Sequence, residues 1–386
     1  MKYRKINERY ESSILALGCM RLPVIDGDYG RIDEEKAIEM IRYALDHGIN
    51  YIDTAYPYHQ ENGERVVGKA LKDGYREKAI LVTKNPVWKV ERREDLEKYL
   101  DEQLAKLDVE YLDFYLMHGL RPERWEKILA LDGLRFLDEM KAKGKIREAG
   151  FSFHGDKKLF EQIVDAYDWS LAMIQMNYKD IDVQATVDAI FYAETRGIPM
   201  AIMEPLKGGQ LANLPQSITD IWNDELGLGQ VERAFRWLAN FENVKVILSG
   251  MSTLDQVKEN IELADRLEAG VIDEEEAKRY LEVKKQIELR AQIPCTDCKY
   301  CMPCPVGVNI PGNFMHYNRS FMYEDLEWAS HVYQDKYKEE QRASACVECG
   351  RCQTLCPQSI RIIDQLKNVH KHLNQDVKLK KDHWAL

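Results

Sequence analysis

Short apolar runs alternate with amphipathic stretches between residues 14 and 265 of the chain. Eight of the runs have the length and composition of buried β-strands, at residues 14–20, 50–55, 79–84, 111–118, 146–153, 171–178, 199–205 and 244–250. The stretches between them repeat apolar residues at helical spacing, as Leu96, Leu100 and Leu104 do, which indicates amphipathic helices. Near-continuous apolar strands that are each followed by a helix predict a parallel sheet closed into a (β/α)8 barrel.

A doubly wound open sheet is the alternative arrangement of alternating strands and helices. That arrangement commonly carries a G-x-G-x-x-G turn after its first strand, and none follows residues 14–20. The barrel is therefore the favoured interpretation. Residues 1–13 precede the first strand and are predicted to form a small hairpin that closes the floor of the barrel.

Cysteine is concentrated at the C-terminal end of the chain, where eight of the nine cysteines lie beyond residue 290. They form two runs that each end before a proline, namely Cys295, Cys298, Cys301, Cys304 and Cys346, Cys349, Cys352, Cys356. The second run has the spacing C-x2-C-x2-C-x3-C-P with which ferredoxins bind [4Fe–4S] clusters, and the first has one residue fewer before its last cysteine. Two such runs predict two [4Fe–4S] clusters and a role in electron transfer.

The ferredoxin pattern also predicts how the cysteines divide between the clusters. The first three cysteines of each run bind one cluster and the fourth reaches the other, so that Cys356 joins the first run and Cys304 joins the second. Zinc is the alternative, since C-x2-C pairs also bind it, although zinc sites usually draw on two well-separated pairs. The ninth cysteine, Cys19, stands alone and is interpreted as a buried structural thiol.

The sequence divides into a predicted barrel at 1–270, a linker helix at 271–292 and an iron–sulfur domain at 293–386. Asp273 and Glu276 resemble a capping box at the start of the linker helix. The residues between Cys304 and Cys346 are rich in aromatic residues and helix formers, which predicts a helical insertion. The predicted fold class is thus α/β, a TIM barrel followed by a small, mainly α-helical, ferredoxin-like domain.

Composition indicates the class of protein and its surroundings. Hydrophobic residues make up 45% and charged residues 31% of the chain, as in ordinary soluble globular proteins. The net charge of −11 argues against nucleic acids and anionic membranes as partners, and no apolar run approaches the length needed to span a bilayer. Air-sensitive clusters and free thiols favour a reducing compartment, so we expect a cytoplasmic location.

Four polar residues mark the carboxyl ends of three consecutive predicted strands, where barrel enzymes carry their reactive groups. Asp53 ends the second strand with Tyr58 just beyond it, Lys84 ends the third strand, and His118 ends the fourth. Each could be a strand-end charge or a core residue if taken singly. As a set they predict acid catalysis by a phenol, because an ammonium lowers the pKa of a neighbouring phenol and a carboxylate keeps that ammonium charged.

These residues stand in stretches that resemble the aldo-keto reductase family over residues 14–265. YIDTAYPYHQENGERVVGKAL resembles its D-T-A-x-x-Y stretch, LVTK carries its lysine and YLDFYLMH its histidine. The run CTDCKYCMPCP resembles a branch of the family with a C-terminal ferredoxin-type domain that holds two [4Fe–4S] clusters. The resemblance implies that Tyr58 is the general acid, that Lys84 and Asp53 tune its pKa, and that His118 orients the substrate.

The resemblance also implies hydride transfer between the nicotinamide of NADP or NAD and a carbonyl carbon. Ser152 and Gln175 correspond to residues beside the nicotinamide amide, and Tyr178 to one at the level of the ring. MEPLKGGQL corresponds to the loop over the pyrophosphate, and SGMSTLDQVKEN to the adenosine site. The implied contacts in these two stretches are Leu206, Gly209, Leu211, Gly250, Ser252, Gln256 and Asn260.

Two departures from the family pattern affect the predicted cofactor site. Phe153 stands where many relatives have asparagine, which leaves one amide contact open. The GMST stretch lacks the Arg or Lys that commonly binds a 2′-phosphate, so the choice between NAD and NADP stays open, with Lys207 and Lys258 as alternative cations. Arg21 and His59 lie near the expected mouth of the barrel, and a surface role is favoured for both.

The predicted function is an oxidoreductase that reduces a small carbonyl compound, or oxidises an alcohol, and that is coupled to electron transfer through two [4Fe–4S] clusters. Hydride transfer moves two electrons and each cluster moves one, so their coupling requires a flavin, substrate radical chemistry or both clusters acting in succession. FMN is therefore left open as a cofactor. One alternative is a flavin-dependent or electron-transfer protein that uses the barrel as a scaffold. Another is a carbonyl reductase with purely structural clusters. A ferredoxin or flavoprotein is the expected electron partner.

Overall fold

The structure, a computed structural model, describes residues 1–223 and 226–377 of the chain. The chain forms two compact units. The first contains Met1–Leu211 and Leu228–Glu274, and the second contains the described residues of Ala212–Gly227 and those from Glu275 onward. Among the described residues, no helix combines the length and the apolar character needed to cross a bilayer.

Ten β-strands, all in the first unit, are described. They are β1 (Tyr3–Lys5), β2 (Glu11–Ser13), β3 (Leu15–Gly18), β4 (Tyr51–Asp53), β5 (Ile80–Asn85), β6 (Leu112–Leu120), β7 (Ile146–Phe153), β8 (Leu171–Gln175), β9 (Met200–Met203) and β10 (Val244–Ser249). The last eight pair in parallel in chain order, and β10 closes the circle by pairing with β3. The predicted (β/α)8 barrel is thereby confirmed.

Fifteen α-helices are described. They are α1 (Glu34–Asp46), α2 (Gly63–Ala70), α3 (Arg93–Leu107), α4 (Pro122–Ala130), α5 (Gly133–Ala142), α6 (Lys157–Asp165), α7 (Asp188–Thr195), α8 (Gln216–Thr219), α9 (Gln230–Ala239), α10 (Leu254–Ala264), α11 (Glu274–Leu289), α12 (Ile310–Met322), α13 (Leu326–His331), α14 (Arg351–Leu355) and α15 (Ile362–Leu373). Several begin at a side-chain cap, such as Asp33 at the start of α1. Its carboxylate accepts a hydrogen bond from the Lys36 backbone N–H, which otherwise has no partner in the helix.

Both faces of the barrel strands are buried, which explains why they read as continuous apolar runs. On β6, Phe114 and Leu116 belong to the cluster that fills the interior of the barrel. Tyr115 and Met117, on the other face, belong to the larger cluster between strands and helices. The alternation follows from the two-residue period of a strand.

The antiparallel hairpin of β1 and β2 lies at the amino-terminal end of the barrel, as predicted for residues 1–13. Ile6 and Tyr10, between its strands, pack against the interior cluster, and the Tyr10 ring lies 5.1 Å from that of Phe114. The Tyr10 hydroxyl donates a hydrogen bond to Asp113 Oδ1 at 2.9 Å. This polar contact fixes the aromatic plug beneath the barrel interior.

Five strands, β3, β4, β8, β9 and β10, end before their predicted runs, and the largest difference is at β8. Residues 171–178 are predicted as a strand, whereas β8 ends at Gln175. Asn177 explains the difference, because its side-chain oxygen accepts hydrogen bonds from the backbone N–H groups of Lys179 and Asp180. Such a turn competes with the strand ladder and redirects the chain.

The second unit is helical around a small apolar core, consistent with the predicted mainly α-helical domain. Ile310 and Phe314 of α12 pack with Leu366 and Val369 of α15, and most of the clustered cysteines border this core. The insertion between the two cysteine runs contains α12, α13 and a π-helical segment at Val332–Lys336. The last nine residues of the predicted domain, 378–386, lie outside the described part of the chain.

Candidate active site and cysteine cavities

The strand register brings three of the four catalytic candidates into direct contact. Asp53 is the last residue of β4 and pairs with Val82, two residues before Lys84 on β5. The Lys84 ammonium donates hydrogen bonds to Asp53 Oδ1 at 2.6 Å and to the Thr54 carbonyl oxygen at 2.9 Å. It also lies 3.4 Å from the Tyr58 hydroxyl. The phenol, ammonium and carboxylate groups thus lie in a row at the carboxyl end of the barrel, with the ammonium in the middle.

Burial makes the charges in this chain interdependent. Lys84 is 2% and Asp53 is 3% exposed. Burial alone would lower the pKa of Lys84, but attraction to Asp53 and Tyr58 outweighs it and keeps the ammonium charged. Burial raises the pKa of Tyr58, and the ammonium opposes that rise. The phenol is therefore protonated at neutral pH, as a proton donor must be.

His118 completes the group from the next strand, β6. Its ring meets the Tyr58 ring edge-on at a centroid distance of 6.4 Å and the Trp88 ring at 5.1 Å. Burial lowers the pKa of His118 well below its usual value, and the positive charge of Lys84 lowers it further. Within the described part of the chain, its Nδ1 atom has no hydrogen-bond partner. The neutral ring can therefore exchange a hydrogen bond with a bound ligand.

A tight left-handed turn places Tyr58. The three residues that follow it, His59, Gln60 and Glu61, all have positive φ angles, of 52°, 54° and 71°. Gly63 then passes so close that a Cβ atom on it would lie 3.2 Å from the Tyr58 carbonyl oxygen. The turn is sterically costly for residues with side chains, and such strain is often found at functional sites.

His59 holds this turn in place, and the surface role favoured for it is wrong. The side chain is fully buried and stacks on Tyr29 at 4.6 Å. Its Nε2 atom accepts a hydrogen bond from the Leu22 backbone N–H at 3.3 Å. The opposite nitrogen, Nδ1, lies 2.9 Å from the Tyr29 carbonyl oxygen and therefore carries the proton. The imidazole joins the turn after Tyr58 to the loop after β3.

A buried polar layer behind Lys84 was missed by the sequence reasoning. Gln103 of α3 donates hydrogen bonds to the Lys84 carbonyl oxygen at 3.0 Å and to Glu64 Oε1 at 2.6 Å. Glu64 also accepts a hydrogen bond from the Thr83 hydroxyl at 2.7 Å. The available signal was Glu64 itself, a charged residue on the otherwise apolar face of α2. The layer fixes the strand segment that carries the lysine.

The residues expected beside the nicotinamide lie at the ends of the next two strands. Ser152, on β7, accepts a hydrogen bond from the Gly119 backbone N–H at 2.7 Å. Gln175, at the end of β8, donates one to Asp180 Oδ2 at 3.0 Å, while its carbonyl oxygen is buried and without a partner in the described residues. Tyr178 is buried just beyond. Phe153 packs among aromatic rings of the outer core and offers no amide to this site.

The remaining cofactor candidates lie in the loops after β9 and β10 and on helix α10. Leu211 is buried, Leu206 is partly buried, and Gly209 adopts a positive φ of 87°. Beyond β10, Gln256 accepts a hydrogen bond from the Ser252 backbone N–H at 2.8 Å, and Asn260 donates one to Ser249 Oγ at 3.3 Å. These contacts shape both loops around the carboxyl end of the barrel.

The cations in this region are arranged differently from the expectation. Lys207 is held by Asp180 at 2.5 Å, and Lys258 lies 3.8 Å from Asp255 on the same helix. Arg21, for which a surface role was favoured, is instead half-buried against both loops. A Cβ atom on Gly208 would lie 3.5 Å from Arg21 Nη2, and one on Gly250 would lie 3.2 Å from Arg21 Cδ. Its position in the loop after β3 gave no sign of this in the sequence.

The eight clustered cysteines line two cavities in the second unit. One is lined by Cys295, Cys298, Cys301 and Cys356. The other is lined by Cys304, Cys346, Cys349 and Cys352, and Cys301 also contributes to it. In each cavity, three thiols of one run face the fourth thiol of the other run.

The spread of the thiols fits a cluster better than a single ion. Among the described residues, no three Cys, His, Asp or Glu side chains converge closely enough to bind one metal ion. A tetrahedral zinc site needs its ligands within about 2.3 Å of a common centre. Four thiols around a larger cavity instead match the corners of a [4Fe–4S] cube. Burial raises the pKa of Cys301 to about 11, so cluster binding would have to displace its proton.

Comparison with known proteins agrees with both parts of this description. Residues 15–283 match the aldo/keto reductase family, and residues 294–361 match a 4Fe-4S dicluster domain. Aldo-keto reductase YhdN of Bacillus subtilis is 33% identical over 162 residues, which cover 39% of this chain and 47% of that protein. The NADH-specific methylglyoxal reductase of Escherichia coli is 25% identical over 276 residues, covering 60% of this chain and 83% of that protein.

Solved structures show the same fold. Aldo-keto reductase AKR11C1 of Bacillus halodurans superimposes with a TM-score of 0.61 at 24% identity, over 73% of this chain and 96% of that one. An aldo/keto reductase of Klebsiella pneumoniae, in complex with NADP and acetate, gives a TM-score of 0.57 at 20% identity, over 73% and 95% of the chains. The chain is an oxidoreductase that belongs to the aldo/keto reductase family and carries a C-terminal 4Fe-4S dicluster domain.

Proposed function

We propose that the barrel reduces a carbonyl group, or oxidises the corresponding alcohol, with a nicotinamide cofactor. The observation that carries this proposal is the contact of Lys84 with both Asp53 and the Tyr58 hydroxyl at the carboxyl end of the barrel. A buried ammonium beside a phenol favours the phenolate that remains after proton donation. The arrangement suits proton transfer to a carbonyl oxygen.

The proposed roles follow from what each side chain can do. Tyr58 donates its proton to the carbonyl oxygen as negative charge develops there. Lys84 stabilises the resulting phenolate, and Asp53 holds the ammonium in place. His118, kept neutral by burial and by Lys84, donates a hydrogen bond that orients the same oxygen.

The proposed cofactor is NADP or NAD, which supplies or accepts the hydride when it is bound. Ser152, Gln175 and Tyr178 stand at the strand ends where its nicotinamide would lie. Gly209 would border its pyrophosphate and Gly250 its adenosine, with Arg21 against both loops, at Gly208 and at Gly250. A guanidinium there offers the cation that the GMST stretch lacks, although it does not choose between the two nucleotides.

Substitution of the phenol tests this proposal. Anaerobically purified protein is supplied with NADPH or NADH and a small aldehyde, and nucleotide oxidation is followed. We expect Tyr58→Phe to lower kcat by about 10²–10⁴-fold, because proton donation is lost. Tyr56→Phe is the matched control, since its hydroxyl contacts Glu102 outside the group. Equal activity of Tyr58→Phe and the native protein would remove the tyrosine from the acid role.

We further propose that the second unit binds two [4Fe–4S] clusters that exchange electrons with the barrel reaction. Each cluster would accept one electron, so that the two together would match the two electrons of one hydride, whose proton would be released to water. The two cysteine-lined cavities support cluster binding. A flavin, which the sequence left open, is not supported by the matches above and is not part of the proposal. A ferredoxin or flavoprotein remains the proposed electron partner, in a reducing cytoplasm. The intact set of Tyr58, Lys84 and His118 argues against a barrel that is only a scaffold.

Anaerobic titration distinguishes redox clusters from structural ones. The protein is titrated with NADPH or NADH while cluster absorbance and the electron paramagnetic resonance signal are recorded. If the clusters belong to the redox path, we expect them to become reduced, and Tyr58→Phe to leave that reduction intact. Clusters that stay oxidised while an aldehyde is reduced would show that they are structural or are served by another donor.

A further inference from the structure

Three basic residues follow the ends of β6, the strand that carries His118, and its neighbour β7. Arg121 directly follows the last residue of β6, and His154 directly follows the last residue of β7, its neighbour in the barrel. Arg124 lies in the first turn of α4. We propose that these three residues form an anion site and that the substrate is a carbonyl compound carrying a carboxylate. This inference rests on the proposed carbonyl chemistry and names its substrate class.

Two of the three side chains, those of Arg124 and His154, meet at Gly119. A Cβ atom on that residue would lie 2.6 Å from Arg124 Nη1 and 3.8 Å from His154 Cδ2. Because Gly119 has no Cβ atom, Arg124 can reach the backbone. It donates hydrogen bonds to the carbonyl oxygens of His118 at 3.3 Å and Gly119 at 2.9 Å. The basic group is therefore anchored to the strand segment that carries the catalytic imidazole.

Electrostatic effects link the three basic residues to one another and to the His118 imidazole. Burial lowers the pKa of His154, and Arg121 and Arg124 add to that lowering. Burial also lowers the pKa of Arg124, and Arg121 again contributes. Arg124 and His154 are among the groups that depress the pKa of His118. An anion placed among them would relieve this repulsion.

Carboxylates near the group leave its outermost cation unneutralised. The Glu204 carboxylate raises the pKa of His154, and the Glu123 carboxylate raises that of Arg124. Arg121 is exposed, and its guanidinium makes no hydrogen bond or ion pair with any residue that the structure describes. An unneutralised guanidinium at the mouth of a site can form two parallel hydrogen bonds to a carboxylate.

The two arginines have different roles in this arrangement. Arg124 is committed to backbone carbonyl oxygens and lies under the Trp88 ring, with its guanidinium carbon 5.0 Å from the ring centroid. Trp88 in turn contacts His118. Arg124 is thus a positioning residue for this wall of the site, while Arg121 is the residue that would contact the ligand.

A matched pair of aldehydes tests the proposal. 4-Formylbenzoate and its methyl ester share a ring and a reacting group but differ in charge, and kcat/KM is measured for each with the holoenzyme. We expect the ratio of the acid to the ester to exceed one. It should fall about tenfold in Arg121→Gln, as for loss of a hydrogen bond to a charged group. Arg121→Lys should restore part of the ratio, and added salt should lower it.

Arg147→Gln is the matched control. Arg147 lies over the Tyr111 ring at the start of β7, at the opposite end of the barrel. Its substitution therefore changes the net charge by the same amount as Arg121→Gln without touching the site. Its ratio should equal that of the native enzyme. A native ratio of one or less, or a ratio that Arg121→Gln leaves unchanged, would overturn the anion site.

Calorimetric binding of 4-hydroxymethylbenzoate, the alcohol product, separates this inference from the proposed function. One outcome is that the protein reduces neither aldehyde with NADPH or NADH and yet binds the alcohol more weakly in Arg121→Gln than in the native form. That result would support the anion site and reject the carbonyl chemistry. Reduction of both aldehydes with no effect of Arg121→Gln on rate or binding would do the reverse. If the protein shows neither reduction of the aldehydes nor binding of the alcohol, both proposals are rejected.

Discussion

Lys84 and Asp53 form a buried ion pair that affects both the stability of the barrel and the reactivity of Tyr58. Each is almost wholly inaccessible to water, and they meet at 2.6 Å. Removing charges from water costs several kcal/mol per ion, so the pair is tolerated only while both members are present. The same burial strengthens the effect of the ammonium on the Tyr58 hydroxyl. Burial of Lys84 and Asp53 therefore governs both the stability of the barrel at this point and the reactivity of Tyr58.

Lys84→Met should therefore destabilise the barrel as well as inactivate it. The substitution leaves the Asp53 carboxylate buried without its partner, and we expect the free energy of unfolding to fall by about 3–5 kcal/mol. The double variant Lys84→Met with Asp53→Asn should recover most of that loss. Urea unfolding of the anaerobic proteins measures both. Equal stability of the single and double variants would contradict the coupling.

Residue-level predictions from sequence depended on regular spacing. Asp53, Lys84 and His118 could be placed together because one strand and one helix separate each from the next, and the structure brings them to adjacent strand ends. Arg21 and His59 could not be placed in this way. Their loops after β3 and β4 fold against each other through long-range contacts that no local pattern encodes.

At the scale of elements, α2 and α3 flank the strand that carries Lys84 and are packed unusually closely. Gly68 of α2 faces the C-terminal end of α3, where a Cβ atom would lie 2.4 Å from the Leu107 carbonyl oxygen. The same two helices supply Glu64 and Gln103 to the polar layer behind the lysine. Close helix packing thus positions the layer.

Gly68→Ala tests that packing. Alanine favours helix by about 1 kcal/mol over glycine, so local propensity alone predicts stabilisation. Because the backbone of α3 blocks the added methyl group, we expect a net loss of about 1–3 kcal/mol in the free energy of unfolding. Lys69→Ala, the exposed neighbour on the same helix, should change it by less than about 0.5 kcal/mol. Greater stability of Gly68→Ala would show that the helices can separate at little cost.

Element existence was easier to predict than element ends. The barrel strands bury both faces and read as apolar runs, which allowed all eight to be identified. The end of β8 was misplaced because Met176 and Tyr178 are apolar while Asn177 between them turns the chain. A single side-chain hydrogen bond acceptor overrides the surrounding hydrophobic pattern there.

At the scale of the whole molecule, the chain combines a barrel with a helical unit whose cysteines come from two distant runs. Local spacing predicted the ligand set, and the cavities place Cys304 with the second run and Cys356 with the first. Each proposed cluster therefore joins both ends of the helical insertion. Loss of either cluster should loosen the unit as well as remove electron carriers.

Paired cysteine substitutions test this division. Cys304→Ala and Cys349→Ala should each reduce the iron content from about eight to about four atoms per chain. Because both line the same cavity, the double variant should still hold about four. Cys19→Ala, which replaces a buried thiol that lines neither cavity, should retain all the iron. Nearly complete loss of iron in the double variant would show that the two cysteines serve different clusters.

Hydride transfer in the barrel is the central step of the proposed function, and isotope transfer measures that step directly. The anaerobic holoenzyme is given 4-formylbenzoate with NADPH or NADH deuterated at C4 on either face, and the alcohol is analysed by mass spectrometry. We predict one deuterium on the carbinol carbon from a single face of the nicotinamide, and transfer slowed about 10²–10⁴-fold in Tyr58→Phe. An alcohol that carries only solvent hydrogen at that carbon would contradict the account.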